Sequence, residues 1–98
     1  MKFVQTIAWK TSRADEMLAA IDRFFAEHPE PGPGFLGAKV LKDRERANTY
    51  LVVAEFESYD LAMQNSARPE IGRLNQELMR LADVPPTFTN YDVIDERA

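Results

Sequence analysis

The chain of 98 residues has no cysteine and a single histidine, His28. Without thiols there is no disulfide framework, no thiolate metal site and no cysteine nucleophile, a usage that fits a reducing compartment. One imidazole excludes a multi-histidine centre, so no metal is expected. Basic residues are in the minority: 12 Lys and Arg stand against 16 Asp and Glu, a formal net charge of −4. They are scattered, which argues against nucleic acid or an anionic membrane as main partner, since both need clustered cations to displace counterions. The longest apolar run, Tyr50 to Ala54, is about five residues against the ~20 of a membrane span. Lys2 and Gln5 break up the N-terminus, which does not read as a signal, so a cytoplasmic location is expected. There is no Gly-rich phosphate loop, dinucleotide fingerprint, zinc spacing or Ser-His-Asp set, and no cofactor is expected.

What is present is an ordinary globular composition, 45% hydrophobic and 29% charged, in a length that suits one domain over residues 1–98. Residues 2–10 alternate, with Phe3, Ile7 and Trp9 on one parity and Val4, Thr6 and Ala8 on the other, a strand interrupted only by Gln5. Thr11 and Ser12 offer an N-cap, with Asp15 and Glu16 in the first turn. Met17, Leu18, Ile21, Phe24, Phe25 and His28 then fall at helical spacing, until the prolines and glycines of 29–34 end the helix. A second strand over 35–42 and a third over 49–57 flank a charged hairpin connection at 43–48. Ser58 caps a short helix through about Ala67, and Pro69 restarts a longer one carrying Ile71, Leu74, Leu78 and Leu81. Val84, Pro85 and Pro86 stop it before a last strand over 87–94 and a charged tail.

The order β-α-β-β-α-β predicts an α+β ferredoxin-like sandwich, a four-stranded antiparallel sheet with helices on one face. Val52, Ala54 and Phe56 point one way along the third strand while Leu51 and Val53 point the other, so helices cover only one of two apolar faces. The uncovered face predicts a homodimer through isologous pairing of two sheets.

Several segments carry a family resemblance: Pro33, Gly34, Phe35, Leu36 and Gly37; then Tyr50 to Val53; then Phe56 to Ala62; then Pro85 and Pro86 before Tyr91, Asp92 and Val93. In this order the chain resembles the antibiotic-biosynthesis-monooxygenase-like proteins over nearly its whole length. The resemblance implies a dimeric α/β barrel with a pocket in each subunit between sheet and helices. It also implies an oxidoreductase, since the family includes cofactor-independent oxygenases of phenols and quinols. Heme-degrading members resemble one another in an Asn on the first strand, a Trp on the short helix and a His on the next. The matching positions are Ile7, Asn65 and Asn75, which leaves no axial imidazole for heme iron. Phenol oxygenases carry an Asn on the third strand and a Trp at its end; here these are Val52 and Phe56, so the aromatic stays and its N–H is lost.

Polar residues on apolar stripes mark the candidate site, since burying an unpaired polar group costs about 1–3 kcal/mol. Asn75 lies between Ile71 and Leu78, Asn65 follows Leu61 by one turn, and Gln5 lies between Phe3 and Ile7. These three are the expected catalytic amides. His28 ends the first helix's stripe. Trp9, Phe56 and Tyr91 are expected to wall a flat ring, and Arg73, with Arg68, to meet a carboxylate or phenolate. Each also has a structural explanation: core amides satisfied by backbone, core aromatics, solvated arginines. The expected function is a cofactor-independent monooxygenase of a small electron-rich aromatic. The alternative is a non-catalytic dimeric barrel that binds a small hydrophobic molecule or serves in stress response. An RNA-recognition module shares the element order but is disfavoured, because residues 49–56 lack that family's basic and glycine positions.

Overall fold

In the computed structural model, which describes residues 1–98, β1 (Phe3–Lys10) is followed by α1 (Ala14–Glu27), β2 (Phe35–Lys42) and β3 (Thr49–Phe56). Then come α2 (Tyr59–Ser66), α3 (Pro69–Leu81) and β4 (Thr87–Asp92). The strands form one sheet in the order β2-β3-β1-β4 with every neighbouring pair antiparallel. This is the expected ferredoxin-like layout. No helix is long and apolar enough to cross a membrane.

Register converts the alternation of each strand into rows across the sheet. One row joins Phe3 to Phe56 and Phe35, the next Gln5 to Ala54, Ala38 and Asn90, the next Ile7 to Val52, Val40 and Phe88, and the last Trp9 to Tyr50. All face the helices. They do so because a bulge between Phe35 and Gly37 inserts Leu36 into β2 and reverses its parity, so that Phe35 and the even-numbered Ala38 and Val40 share a face. The opposite face carries Val4, Thr6 and Ala8 beside Leu51 and Val53, and no helix packs on it.

The core divides into two parts at opposite ends of β1. Trp9 packs with Met17, Ala20, Leu78 and Leu81 at one end, while Phe3, Phe56 and Ala62 pack at the other. Between them runs the row of Gln5, Ala54 and Ala38, whose small or polar side chains do not fill the space beneath the helices.

Two boundaries differ from expectation. The residue at the N-cap of α1 is Arg13, with no side-chain cap bond. The Thr11 hydroxyl is used elsewhere: it is fully buried, donates to the Leu81 carbonyl at 2.7 Å and accepts from the Arg13 N–H at 3.0 Å. It thus satisfies a last-turn carbonyl of α3 that the helix leaves orphaned and ties that helix to the end of β1. β4 ends at Asp92 rather than Ile94, although the Val93 N–H still donates to the Lys2 carbonyl at 2.9 Å. Ser58 caps α2 as expected, its hydroxyl accepting from the Leu61 N–H, and Pro69 occupies the first turn of α3.

Candidate functional site

The gap between the two core clusters is a partly open chamber of about 140 Å³ bounded by sheet, α1, α2 and α3. Its floor is Gln5, Ile7, Ala38, Val40, Val52 and Ala54, and its walls include Ile21, Phe24, Phe25, Ile71, Leu74 and Leu78. Phe35 and Phe56 close one end, their ring centroids 5.7 Å apart with the planes inclined at 63°, and the Phe25 ring stands 6.1 Å from that of Phe35. Asn65, Ser66, Asn75 and Gln5 are the only polar side chains on the lining. No carboxylate, amine, guanidinium or imidazole lines it.

A second, outer basin of about 170 Å³ shares Phe24, Phe25, Phe35, Asn65 and Ile71 with the chamber. Its other lining residues are His28, Arg68 and the loop of Pro29, Glu30, Pro31 and Gly32. This basin is the mouth. His28 caps the C-terminus of α1, its backbone N–H bonded to the Phe24 carbonyl and its ring 4.8 Å from that of Phe24. Arg68 bridges two partners: its Nη1 donates to Asn65 Oδ1 at 2.9 Å and its Nε to Glu70 Oε1 at 2.8 Å.

Gln5, Asn65 and Asn75, expected as catalytic amides, come together around the chamber although they arise from β1, α2 and α3. Gln5 Nε2 donates to Asn90 Oδ1 across the β1–β4 pair at 3.1 Å. Asn75 is half-buried, and no protein hydrogen bond restrains its amide. Of the other expected pocket residues, Phe56 lines the chamber, and Trp9, Tyr91 and Arg73 do not. Trp9 is 2% exposed inside the first core cluster, where the last row of the sheet meets Met17 and Leu81. Tyr91 pairs with Val4, which places it on the opposite face of the sheet, half exposed. Arg73 is exposed in a groove between α1 and α3 beside Arg23, Glu27 and Glu77, off the chamber-facing stripe of Ile71, Leu74, Asn75 and Leu78. Tyr91 departs because the register of β4 sets its parity. Trp9 departs because it fills its end of the sheet.

Sequence reasoning missed Gly32 and Glu70 and did not place Arg68 at the mouth. The signal for the last two was the spacing Asn65-x-x-Arg68 across the helix break before Pro69, with Glu70 two residues on. Gly32 reaches the mouth only through tertiary contact. No cluster of three or more His, Asp or Glu is positioned to hold a metal ion.

No protein-family model matches the chain, and no curated protein matches it in sequence. Solved structures match it in fold. A protein of Caulobacter crescentus CB15 classed as an antibiotic biosynthesis monooxygenase superposes with a TM-score of 0.82 at 14% identity, covering 96% of this chain and 91% of that one. A variant of SnoaB, a cofactor-independent oxygenase from Streptomyces nogalater, gives 0.79 at 18% identity over 97% of this chain and 95% of that one. A protein of Nitrosomonas europaea, also classed as an antibiotic biosynthesis monooxygenase, gives 0.77 at 10% identity over 95% and 90%. The chain therefore has the ferredoxin-like βαββαβ fold of structures classed as antibiotic biosynthesis monooxygenases, as its sequence resemblance implied.

Proposed function

We propose that the chain is a cofactor-independent oxygenase acting on a small electron-rich aromatic of phenol, anthrone or quinol type. The observation that carries this reading is a ring-sized apolar chamber whose polar lining is confined to a hydroxyl and three side-chain amides. An apolar cavity of about 150 Å³ accepts benzene. The chamber, at about 140 Å³, therefore suits one ring, and a larger polycycle would extend into the mouth. SnoaB, described as a cofactor-independent oxygenase, shares the fold and supports the same chemistry here.

A phenol with a free para C–H can supply every electron the reaction needs. Dioxygen takes four electrons from the ring: the phenol O–H and the para C–H are lost, one oxygen atom enters as the second quinone carbonyl, and the other leaves as water. The protein's part is to exclude water, hold the ring and stabilise the phenolate that gives up the first electron. Amide N–H donors of Asn65 and Asn75 would serve that anion, while Phe25, Phe35 and Phe56 hold the ring. The phenol proton meets no base on the chamber lining, so it leaves through the mouth, where His28 stands.

Oxygen uptake by the purified protein with a panel of phenols, hydroquinones and anthrones tests the reading. One dioxygen per quinone, with one labelled oxygen incorporated from ¹⁸O₂, is the expected result. Uptake at the buffer rate across the panel defeats it. The absence of an ionisable group from the chamber lining favours one other reading, a binding protein without turnover. Its mark would be a ligand held tightly with no oxygen consumed.

A further inference from the structure

The Asn65 amide is gripped from two sides, although it stands near the end of a short helix. Its Oδ1 accepts from Arg68 Nη1 at 2.9 Å. Arginine carries only donors, so the atom facing it must be the carbonyl oxygen, and the NH₂ group is forced onto the opposite branch of the side chain. That branch belongs to a residue lining both mouth and chamber, and no protein acceptor holds its N–H groups.

Arg68 is itself braced. Its Nε donates to Glu70 Oε1 at 2.8 Å, and both side chains are about three-quarters withdrawn from solvent, 25% and 24% exposed. A planar guanidinium fixed through Nε and Nη1 has its plane set, which a lysine ammonium could not reproduce. On the other side the proline-rich loop presses against the pair at Gly32. A Cβ at that position would stand 2.0 Å from Asn65 Oδ1 and 2.5 Å from Arg68 Nη1, so only glycine leaves the pair in place.

We propose that Arg68, braced by Glu70 and seated against Gly32, is a positioning residue that turns the Asn65 amide so that its N–H donors bind a phenolate oxygen in the chamber. This rests on the reading of the chamber as a site for a phenolic ring. Arg68 does not touch the ring; it acts through Asn65. The substrate oxygen is thereby placed at the mouth end of the chamber, with the ring running inward over Ala54.

The test uses 4-nitrophenol, whose phenolate absorbance reports its ionisation and which needs no turnover. In the wild-type protein the bound phenol should ionise at lower pH than the free one. Asn65→Ala and Arg68→Ala should each remove most of that shift and weaken phenolate binding about tenfold. The double variant should be no worse than either alone, because the two act as one unit. Arg68→Lys should fail to restore the shift. Gly32→Ala, which touches no ligand, should raise the bound pKa as Arg68→Ala does while leaving the thermal melt near that of wild type. The proposal is overturned if wild type does not bind 4-nitrophenol, if Arg68→Ala leaves the bound pKa unchanged, or if the losses of Asn65→Ala and Arg68→Ala multiply. Lack of oxygen uptake with the pKa shift intact would remove the oxygenase reading and leave this one standing.

Discussion

Asn75 occupies the middle of the apolar stripe of α3, between Ile71 and Leu78, where folding alone would favour leucine. Its amide faces the chamber without a protein partner. Asn75→Leu should therefore fold as well as wild type or more stably by about 1 kcal/mol, because it trades an unpaired amide for apolar contact. The same change should cost at least about tenfold in oxygenase kcat, since it removes an anion donor and fills the ring's space. A denaturant melt beside an oxygen-uptake assay checks both; a destabilised but active variant would show that the amide is structural. Trp9 poses the reverse case. Its indole Nε1 is buried without a hydrogen-bond partner, a burden of about 1–3 kcal/mol. Trp9→Phe removes that burden and leaves a small void, so its stability should stay within about 1 kcal/mol of wild type, while Trp9→Ala should lose about 3–5 kcal/mol. Equal losses for the two, read from urea unfolding midpoints, would mean the N–H does find a partner. Both positions also show what sequence conveys at this scale. A polar residue on an apolar stripe is visible in one dimension, which is how Gln5, Asn65 and Asn75 could be named. Whether a large aromatic lines a cavity or plugs its end depends on cross-strand rows, which is why Trp9 and Tyr91 were expected in the wrong place.

Among the elements, the loop between α1 and β2 sets the geometry of the mouth. Gly34 has φ +67°, and an added Cβ would lie 2.6 Å from Leu61 Cβ on α2. Its carbonyl also accepts from the Glu57 N–H at 2.8 Å, so the turn cannot move freely. Gly34→Ala should cost on the order of 2 kcal/mol from the left-handed backbone alone, and more from the contact with α2. A thermal melt within a degree of wild type would contradict that. The β2–β3 hairpin holds the clearest pH effect. Asp43 accepts from the backbone N–H groups of Glu45 and then Arg46, which draw its carboxyl below the usual value of 3.8; the Arg46 charge adds to this. A carboxyl with a lowered native pKa stabilises the fold above the unfolded value and loses that contribution as pH falls through the native one. The stability gap between wild type and Asp43→Asn should thus be widest above pH 3.8 and narrow on acidification, which urea midpoints across pH 2–6 would show. The strands, helices and their order were legible because period 2 and period 3.6 dominate each segment. The bulge at Leu36 was not, since alternation within 35–42 is equally satisfied by either parity until pairing with β3 chooses one.

Over the whole molecule, one sheet serves two faces. The helix face holds the chamber. The other presents Val4, Ala8, Leu51 and Val53, flanked by Leu41 and Tyr91, which are 44% and 52% exposed. An antiparallel sheet tolerates one wet face when that face is polar; this one is mixed, with Thr6, Lys39, Glu55 and Thr89 set among the apolar side chains. A second copy of the chain offers the same sheet face and closes the contact by two-fold symmetry, so that the pairing ends at two copies. We therefore propose a homodimer through this face. Val53 lies on β3, an interior strand of the sheet, beside Thr6, so a charge there would be desolvated in both copies. Wild type should run at twice the chain mass of 11.2 kDa in light scattering, and Val53→Asp should run as a monomer with its circular dichroism unchanged. A monomeric wild type at high protein concentration would end the dimer proposal. Because Val53 and the chamber lie on opposite sides of the sheet, the Val53→Asp monomer also separates two roles of pairing. If it binds 4-nitrophenol as wild type does, the chamber is complete in one chain and the partner only protects the sheet. If binding falls with the dimer, pairing must hold the floor residues Gln5, Ala54 and Val52 in register beneath the ring.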